Sequence, residues 1–220
     1  CSSWRRRCGR GAGVGDFQVS GQPVPTVSAD RLAFAHPGVT VFADLTFALH
    51  PGLTLVRGGD GRGKTTLLRL LAGELAPTGG TLSRQVGSLW WEQPGEPAHD
   101  AVVARDWLAR RQALFVGWRS EVVEALVEAF GLGEHLGKRM EMLSTGSRRK
   151  VGLVGAAASG AALTLLDTPW AALDARSGRV LDELLAEAAE DPARLWVVAG
   201  HAQPAGLADV PWSGCIDLGD

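Results

Sequence analysis

Tyrosine is absent from the 220 residues, cysteine occurs three times, and no apolar run is long enough to cross a bilayer. Each shortage excludes something. Without tyrosine, a ring that stacks on a ligand must come from another residue type. The cysteines Cys1, Cys8 and Cys215 are odd in number and lack metal-ligand spacing. That argues against a metal site and for unpaired thiols in a reducing cytosol. A spanning helix needs roughly 18 apolar residues. The nearest approach, Val151 to Leu166, is broken by Gly152, Gly155, Ser159, Gly160 and Thr164, so any membrane role goes through a partner. A formal net charge of −2 gives no bulk attraction to nucleic acid or to anionic lipid.

The length of 220 residues suits one large domain, or one domain with an insertion, and with 45% of the residues apolar and 21% charged there is enough for a core. The opening "CSSWRRRCGRGAGVG" has no hydrophobic period and no apolar signal region, so residues 1–24 are expected to be a disordered, solvated tail. Cys1 in place of Met suggests a fragment or a misplaced start. Beyond the tail, "RLAFAHPGVTVFADLTFALHPGLTLVRG" predicts two antiparallel strands around Pro37-Gly38 and then a buried strand from Leu53 to Arg57. "GKTTLLRLLAGEL" has helical apolar spacing, with "APTGG" as its stop, and "TLSRQVGSLWW" reads as two short strands. Helical spacing dominates from Pro94 to about Met140 and resumes in "STGSRRKVGLVGAAAS", with Ser144 as its N-cap. "ALTLLD" is a buried strand, "SGRVLDELLAEAAE" an amphipathic helix, and "RLWVVAG" a final buried strand. This order predicts an α/β domain over residues 25–220. It has a parallel-sheet core and a helical subdomain at about 94–158.

"GGDGRGKTT", from Gly58 to Thr66, matches G-x-x-x-x-G-K-[ST], and a buried strand and an apolar-faced helix flank it as that motif requires. Gly58, Gly59, Asp60, Gly61, Arg62, Gly63, Lys64, Thr65 and Thr66 form a loop whose N–H groups can turn inward on phosphate oxygens. The following helix aims its positive end at them. Lys64 reaches the β- and γ-phosphates in this motif, and the Thr65 hydroxyl ligates Mg2+. Downstream, Asp167 leaves an apolar strand. Gln93 sits before Pro94 and Gly95, and His201 follows the "LWVVAG" strand.

Four further segments occur in a telling order: "LWWEQP" with Gln93, "LSTGSRRKV" from Leu143 to Val151, "LTLLDTPWAALD", and "VVAGH" ending at His201. Together with the phosphate loop they resemble the Q-loop, signature, Walker B, D-loop and switch histidine of ATP-binding-cassette (ABC) ATPases, over about residues 27–218. The resemblance implies a P-loop NTPase fold of ABC type, with an antiparallel β subdomain beside the parallel core and the helical subdomain. It implies ATP and Mg2+ as ligands, with Lys64, Gln93, Asp167 and His201 as catalytic residues and Thr65, Gln93 and Asp167 as metal ligands. His36 falls where the family stacks an aromatic ring on adenine. Ser144 and Gly146 would contact ATP held by a second cassette, in a homo- or heterodimer. Asp174 would cross that interface or cap its own helix, and both roles are compatible.

The sequence departs from the family pattern at three positions. Thr145 stands for a glycine, Ser147 for a glutamine, and Thr168 for the glutamate that polarises the attacking water. Threonine accepts no proton at neutral pH, and general-base help is worth typically 10²–10⁴-fold, so slow turnover is expected. Glu92 is the nearest spare carboxylate in the sequence. The resemblance implies an ATP-binding transporter subunit at the inner face of the cell membrane, held there by an integral membrane permease. The chain ends soon after His201, like compact cassettes of exporter and haem-exporter-like type. The alternatives are a regulatory subunit with little hydrolysis, paired with a competent cassette, and a soluble cassette protein that acts on DNA or ribosomes. The last usually carries coiled coils or two cassettes, and this sequence has neither.

Overall fold

The computed structural model of the chain describes residues 26–91 and 96–219. The expected tail, Cys1, Cys8, Glu92 and Gln93 lie outside the described residues. Strands β1 (Val27–His36) and β2 (Val39–Leu49) form the expected hairpin at Pro37-Gly38. Strand β4 (Gly79–Arg84) pairs with the other edge of β1, giving an antiparallel sheet of order β2-β1-β4. The second sheet is parallel, with order β5-β6-β7-β3-β8. It consists of β3 (Gly52–Arg57), β5 (Leu89–Trp90), β6 (Leu163–Asp167), β7 (Leu195–Gly200) and β8 (Gly214–Asp217). The two strands expected in "TLSRQVGSLWW" therefore belong to different sheets.

The central strands β3, β6 and β7 are buried almost throughout, as parallel strands covered on both faces must be. Successive residues serve opposite faces. Leu163, Leu165 and Val197 pack with helix α1 (Lys64–Ala72) and the antiparallel sheet. Leu166, Trp196 and Val198 pack with the helical side. That side holds α2 (Ala104–Gln112), α3 (Ser120–Ala129), α4 (Thr145–Ala158) and α5 (Ala175–Ala189).

Two sequence expectations are corrected here. "RLWVVAG" is not the final strand, because β8 follows it and pairs in parallel with β3. Helix α1 stops at Gly73 rather than at "APTGG". Gly73 takes a left-handed conformation and donates its N–H to the carbonyls of Arg69 and Leu70, so the cap acts before the proline is reached.

Arg194 enters β7 with only 8% of its surface exposed. Its guanidinium donates to the carbonyls of Ala161 (2.9 Å), Ala156 (3.1 Å) and Ala157 (3.4 Å), and to Thr164 Oγ1 (3.3 Å). It also lies 4.8 Å over the Trp196 ring. Burial pushes its pKa down to about 10, with Arg119 adding to that effect and Asp191 opposing it. The side chain therefore remains charged at pH 7 and caps the end of α4. Arg194→Ala takes the charged donor from the Ala161 carbonyl, while the Ala156 and Ala157 carbonyls keep Ser159 Oγ and Arg119 as donors, and urea unfolding is expected to show a loss of about 2 kcal/mol. A loss below about 0.5 kcal/mol, the size of an ordinary surface substitution, would contradict the capping role.

Candidate nucleotide site

The carboxyl ends of β3, β6 and β7 lie side by side along one edge of the parallel sheet. They deliver the phosphate loop, Asp167 and His201 respectively. Ligands in open α/β sheets bind at such an edge. The loop turns through Gly61 and Gly63, whose φ angles are 74° and 89°. A side chain on Gly63 would also overlap Val41 of β2, so the antiparallel sheet packs directly on the loop. Lys64 is buried and donates Nζ protons to the carbonyls of Gly58 (2.6 Å) and Gly59 (2.7 Å). Its ammonium is thus fixed inside the curl of the loop at the amino end of α1, where two positive features add.

β8, absent from the sequence reading, closes the loop from behind. Gly59 donates its N–H to the Gly219 carbonyl at 3.0 Å, and Leu218 donates to that of Arg57 at 2.9 Å. Arg57 Nη2 and Asp217 Oδ2 pair at 2.6 Å. The Gly219 N–H and then Arg57 hold the Asp217 carboxyl below the usual carboxylate range.

Thr65 Oγ1 donates to Asp167 Oδ2 at 2.6 Å, across 102 positions of sequence. A hydroxyl and a carboxylate oxygen side by side are hard ligands of the kind Mg2+ selects, so these residues fit the expected ion. His201 Nε2 lies 3.4 Å from Asp60 Oδ1, both side chains being exposed. The strand ends therefore bring Asp60, Lys64, Thr65, Asp167 and His201 together. His36, at the end of β1, is exposed and stands edge-on to Phe34, with 5.1 Å between ring centroids.

Thr168 sits where the family pattern has glutamate, and its φ is 44°. A β-branched residue in the left-handed region costs about 1–3 kcal/mol, and hydrogen bonds hold it there. Its N–H donates to Ala199 at 3.0 Å, and its carbonyl accepts from Ala171 N–H at 3.0 Å. Arg149 of α4 donates Nη1 protons to the carbonyls of Asp167 (3.1 Å) and Thr168 (2.5 Å). Burial lowers the Arg149 pKa, and the nearby Asp167 opposes that. A cavity of about 410 Å³ opens beside this turn, lined in part by Thr145, Arg148, Arg149, Asp167 and Thr168. Sequence reasoning missed Arg149. The one available signal was its place four residues after Thr145, on the same helical face.

The signature segment begins α4 as expected. Ser144 caps it, accepting from Ser147 N–H at 3.1 Å, and the two hydroxyls meet at 3.0 Å. Gly146 has a reason inside its own chain, since a Cβ there would overlap the Ala172 carbonyl oxygen. Asp174 caps α5 by accepting from Ser177 N–H at 2.8 Å, and it pairs with Lys150 at 3.0 Å. The Ser177 N–H, then Lys150, hold its carboxyl well below the ordinary range. The segments that begin α4 and α5 are thus fastened to each other.

The family model described as ABC transporter matches residues 42–171. The chain belongs to the ABC transporter family. This ABC protein is 31% identical over 180 residues to the phosphonates import ATP-binding protein PhnC 2 of Albidiferax ferrireducens, covering 70% of this chain and 65% of that one. It is 32% identical over 170 residues to the cytochrome c biogenesis ATP-binding export protein CcmA of Rhodopseudomonas palustris, covering 69% of this chain and 78% of that one. Among solved structures, an ABC transporter ATP-binding protein of Pyrococcus furiosus superposes with a TM-score of 0.70. The match covers 87% of this chain and 96% of that one at 21% identity, a likeness of fold. The ABC protein thus has the P-loop fold of ABC ATPases, it spans 65% of the PhnC 2 relative's length, and the relatives it matches are ATP-binding proteins of import and export systems alike. Among the described residues no helix is long and apolar enough to cross a membrane.

Proposed function

We propose that the chain binds MgATP in the loop from Gly58 to Thr66 and couples its binding and hydrolysis to translocation through a separate membrane permease. The contact that carries this reading is Thr65 against Asp167 at 2.6 Å, with Lys64 fastened beside it. Lys64 neutralises phosphate charge, while Thr65 and Asp167 hold the metal ion, together with Gln93. Mg2+, when bound, supplies charge neutralisation across the β- and γ-phosphates. His201, steadied by Asp60, orients the attacking water. Gln93 offers its amide oxygen to that water, and His36 stacks on the base. Ser144 and Gly146 serve nucleotide held by a second cassette. The site of work is the inner face of the cell membrane.

Phosphoryl transfer depends mainly on positioning and charge stabilisation, so turnover survives the loss of a carboxylate at Thr168 but is slow. The same residue favours a second reading, in which the chain closes on ATP, hydrolyses rarely, and relies on a competent partner cassette. Either way the signature helix needs a nucleotide from another subunit, so association will depend on MgATP. Sizing the protein with and without MgATP, alone and with co-purified partners, is expected to reveal a dimer or heterodimer only with nucleotide. A monomer throughout, with no partner recovered, would contradict the shared-site arrangement.

A further inference from the structure

Arg149 is a half-buried cation whose visible work is done on two backbone oxygens. Its Nη1 donates to the carbonyls of Asp167 and Thr168, the two residues of the turn that ends β6. Charge-assisted bonds of this kind are stronger than neutral ones. On the far side of the same turn, Thr168 N–H donates to Ala199 of β7. The turn is therefore gripped from both sides, and it needs to be, because Thr168 is held at a φ of 44°. Thr168 adjoins Asp167, whose carboxylate accepts from the Thr65 hydroxyl at 2.6 Å, so the backbone of this turn sets where that carboxylate sits. Arg149 itself stands on the first turns of α4, five residues after the cap Ser144 and three after Gly146.

We propose that Arg149 is a positioning residue of the nucleotide site. It holds the Asp167–Thr168 turn so that the Asp167 carboxylate stays against the Thr65 hydroxyl, and it ties that turn to the helix carrying Ser144 and Gly146. This rests on the reading of Thr65 and Asp167 as the metal-holding pair. Residues that orient metal ligands typically change metal affinity by 10–100-fold when lost. Arg149 acts through backbone rather than by touching the ion, so the lower end applies.

The test titrates Mg2+ against a fixed fluorescent ATP analogue bound to the full chain, for the unaltered protein, Arg149→Ala, Arg149→Gln and Thr65→Ala. The expected result for Arg149→Ala has two parts. Nucleotide affinity in EDTA stays within about 2-fold, while the Mg2+ concentration for half-maximal effect rises about 10-fold, in the direction of Thr65→Ala. Arg149→Gln, which keeps amide donors for the carbonyls, shifts less. A merely structural Arg149 predicts another pattern, in which the melting temperature and the affinity in EDTA fall together and the Mg2+ midpoint stays fixed. That pattern, or superposing Mg2+ titrations, overturns the inference. If Arg149→Ala does not fold, Arg149→Met, which keeps the aliphatic stem but has no donor for the carbonyls, decides by the same midpoint. Failure of the unaltered chain to bind nucleotide removes the reading of the site and the inference with it. Binding by the unaltered chain together with superposing titrations removes only the role of Arg149.

Discussion

Replacing Lys64 by alanine will abolish ATP binding at concentrations that saturate the unaltered protein. The ammonium is fixed by the carbonyls of Gly58 and Gly59 at 2.6 and 2.7 Å before any ligand arrives, so little ordering is left for binding to complete. Removing one partner of a buried, hydrogen-bonded charge pair costs about 2–5 kcal/mol, and each 1.4 kcal/mol is tenfold in affinity. The expected weakening is therefore on the order of 100-fold or more. The substitution also unfastens the loop, since both carbonyls lose their donor. Lys64→Arg is not expected to rescue binding, because a planar fork does not fit a cradle built for a compact ammonium. Equilibrium binding of labelled ATP checks both variants. Comparable affinity in Lys64→Ala would remove the phosphate-loop assignment.

Thr168→Glu is expected to raise steady-state ATP hydrolysis on the order of 10-fold or more at unchanged ATP affinity. The direction follows from the proposed role: a carboxylate at this turn would act on the attacking water and leave the groups that hold nucleotide in place. General-base help spans typically 10²–10⁴-fold, and two features keep the gain below that range. Arg149 donates to the Thr168 carbonyl at 2.5 Å, and a neighbouring cation lowers a carboxylate's pKa and with it its basicity. Thr145 and Ser147 also depart from the signature pattern of the shared site. The backbone does not forbid the change, because glutamate, unbranched at Cβ, tolerates a φ of 44° better than threonine. Phosphate release under saturating MgATP, compared between the two proteins, measures the gain. Equal rates would mean that Thr168 does not limit the chemistry.

The sequence-level reading succeeded where one local signal was enough. The strand, glycine loop and helix from Gly52 to Ala72 carry apolar burial, turn chemistry and a phosphate motif in consecutive residues. Ser144 was recognisable as a cap because a small hydroxyl residue stands immediately before a helical run. What stayed hidden depends on contacts distant in sequence. β8 spans four residues with one buried side chain, Ile216, too few to show a period. Its importance lies in Gly219 and Asp217 backing a loop some 160 positions earlier. Arg149 looked like one of three neighbouring cations in "SRRKV", and only the approach of α4 to the end of β6 gives it the carbonyls of Asp167 and Thr168. The left-handed backbone of Thr168 ran against propensity, since a β-branched residue argues for extended structure.

Under the proposed function this chain holds MgATP through Lys64, Thr65 and Asp167, while Thr168 stands in place of the carboxylate that would speed hydrolysis. The most direct test uses one sample of the unaltered full chain with ATP labelled on both the α- and γ-phosphates, measuring bound nucleotide and released phosphate together. Close to one bound nucleotide per chain is expected in the presence of Mg2+, with phosphate release slow enough that most of the bound nucleotide is still ATP. Absence of bound nucleotide would contradict the site, and brisk release, with mostly ADP retained, would contradict the role given to Thr168.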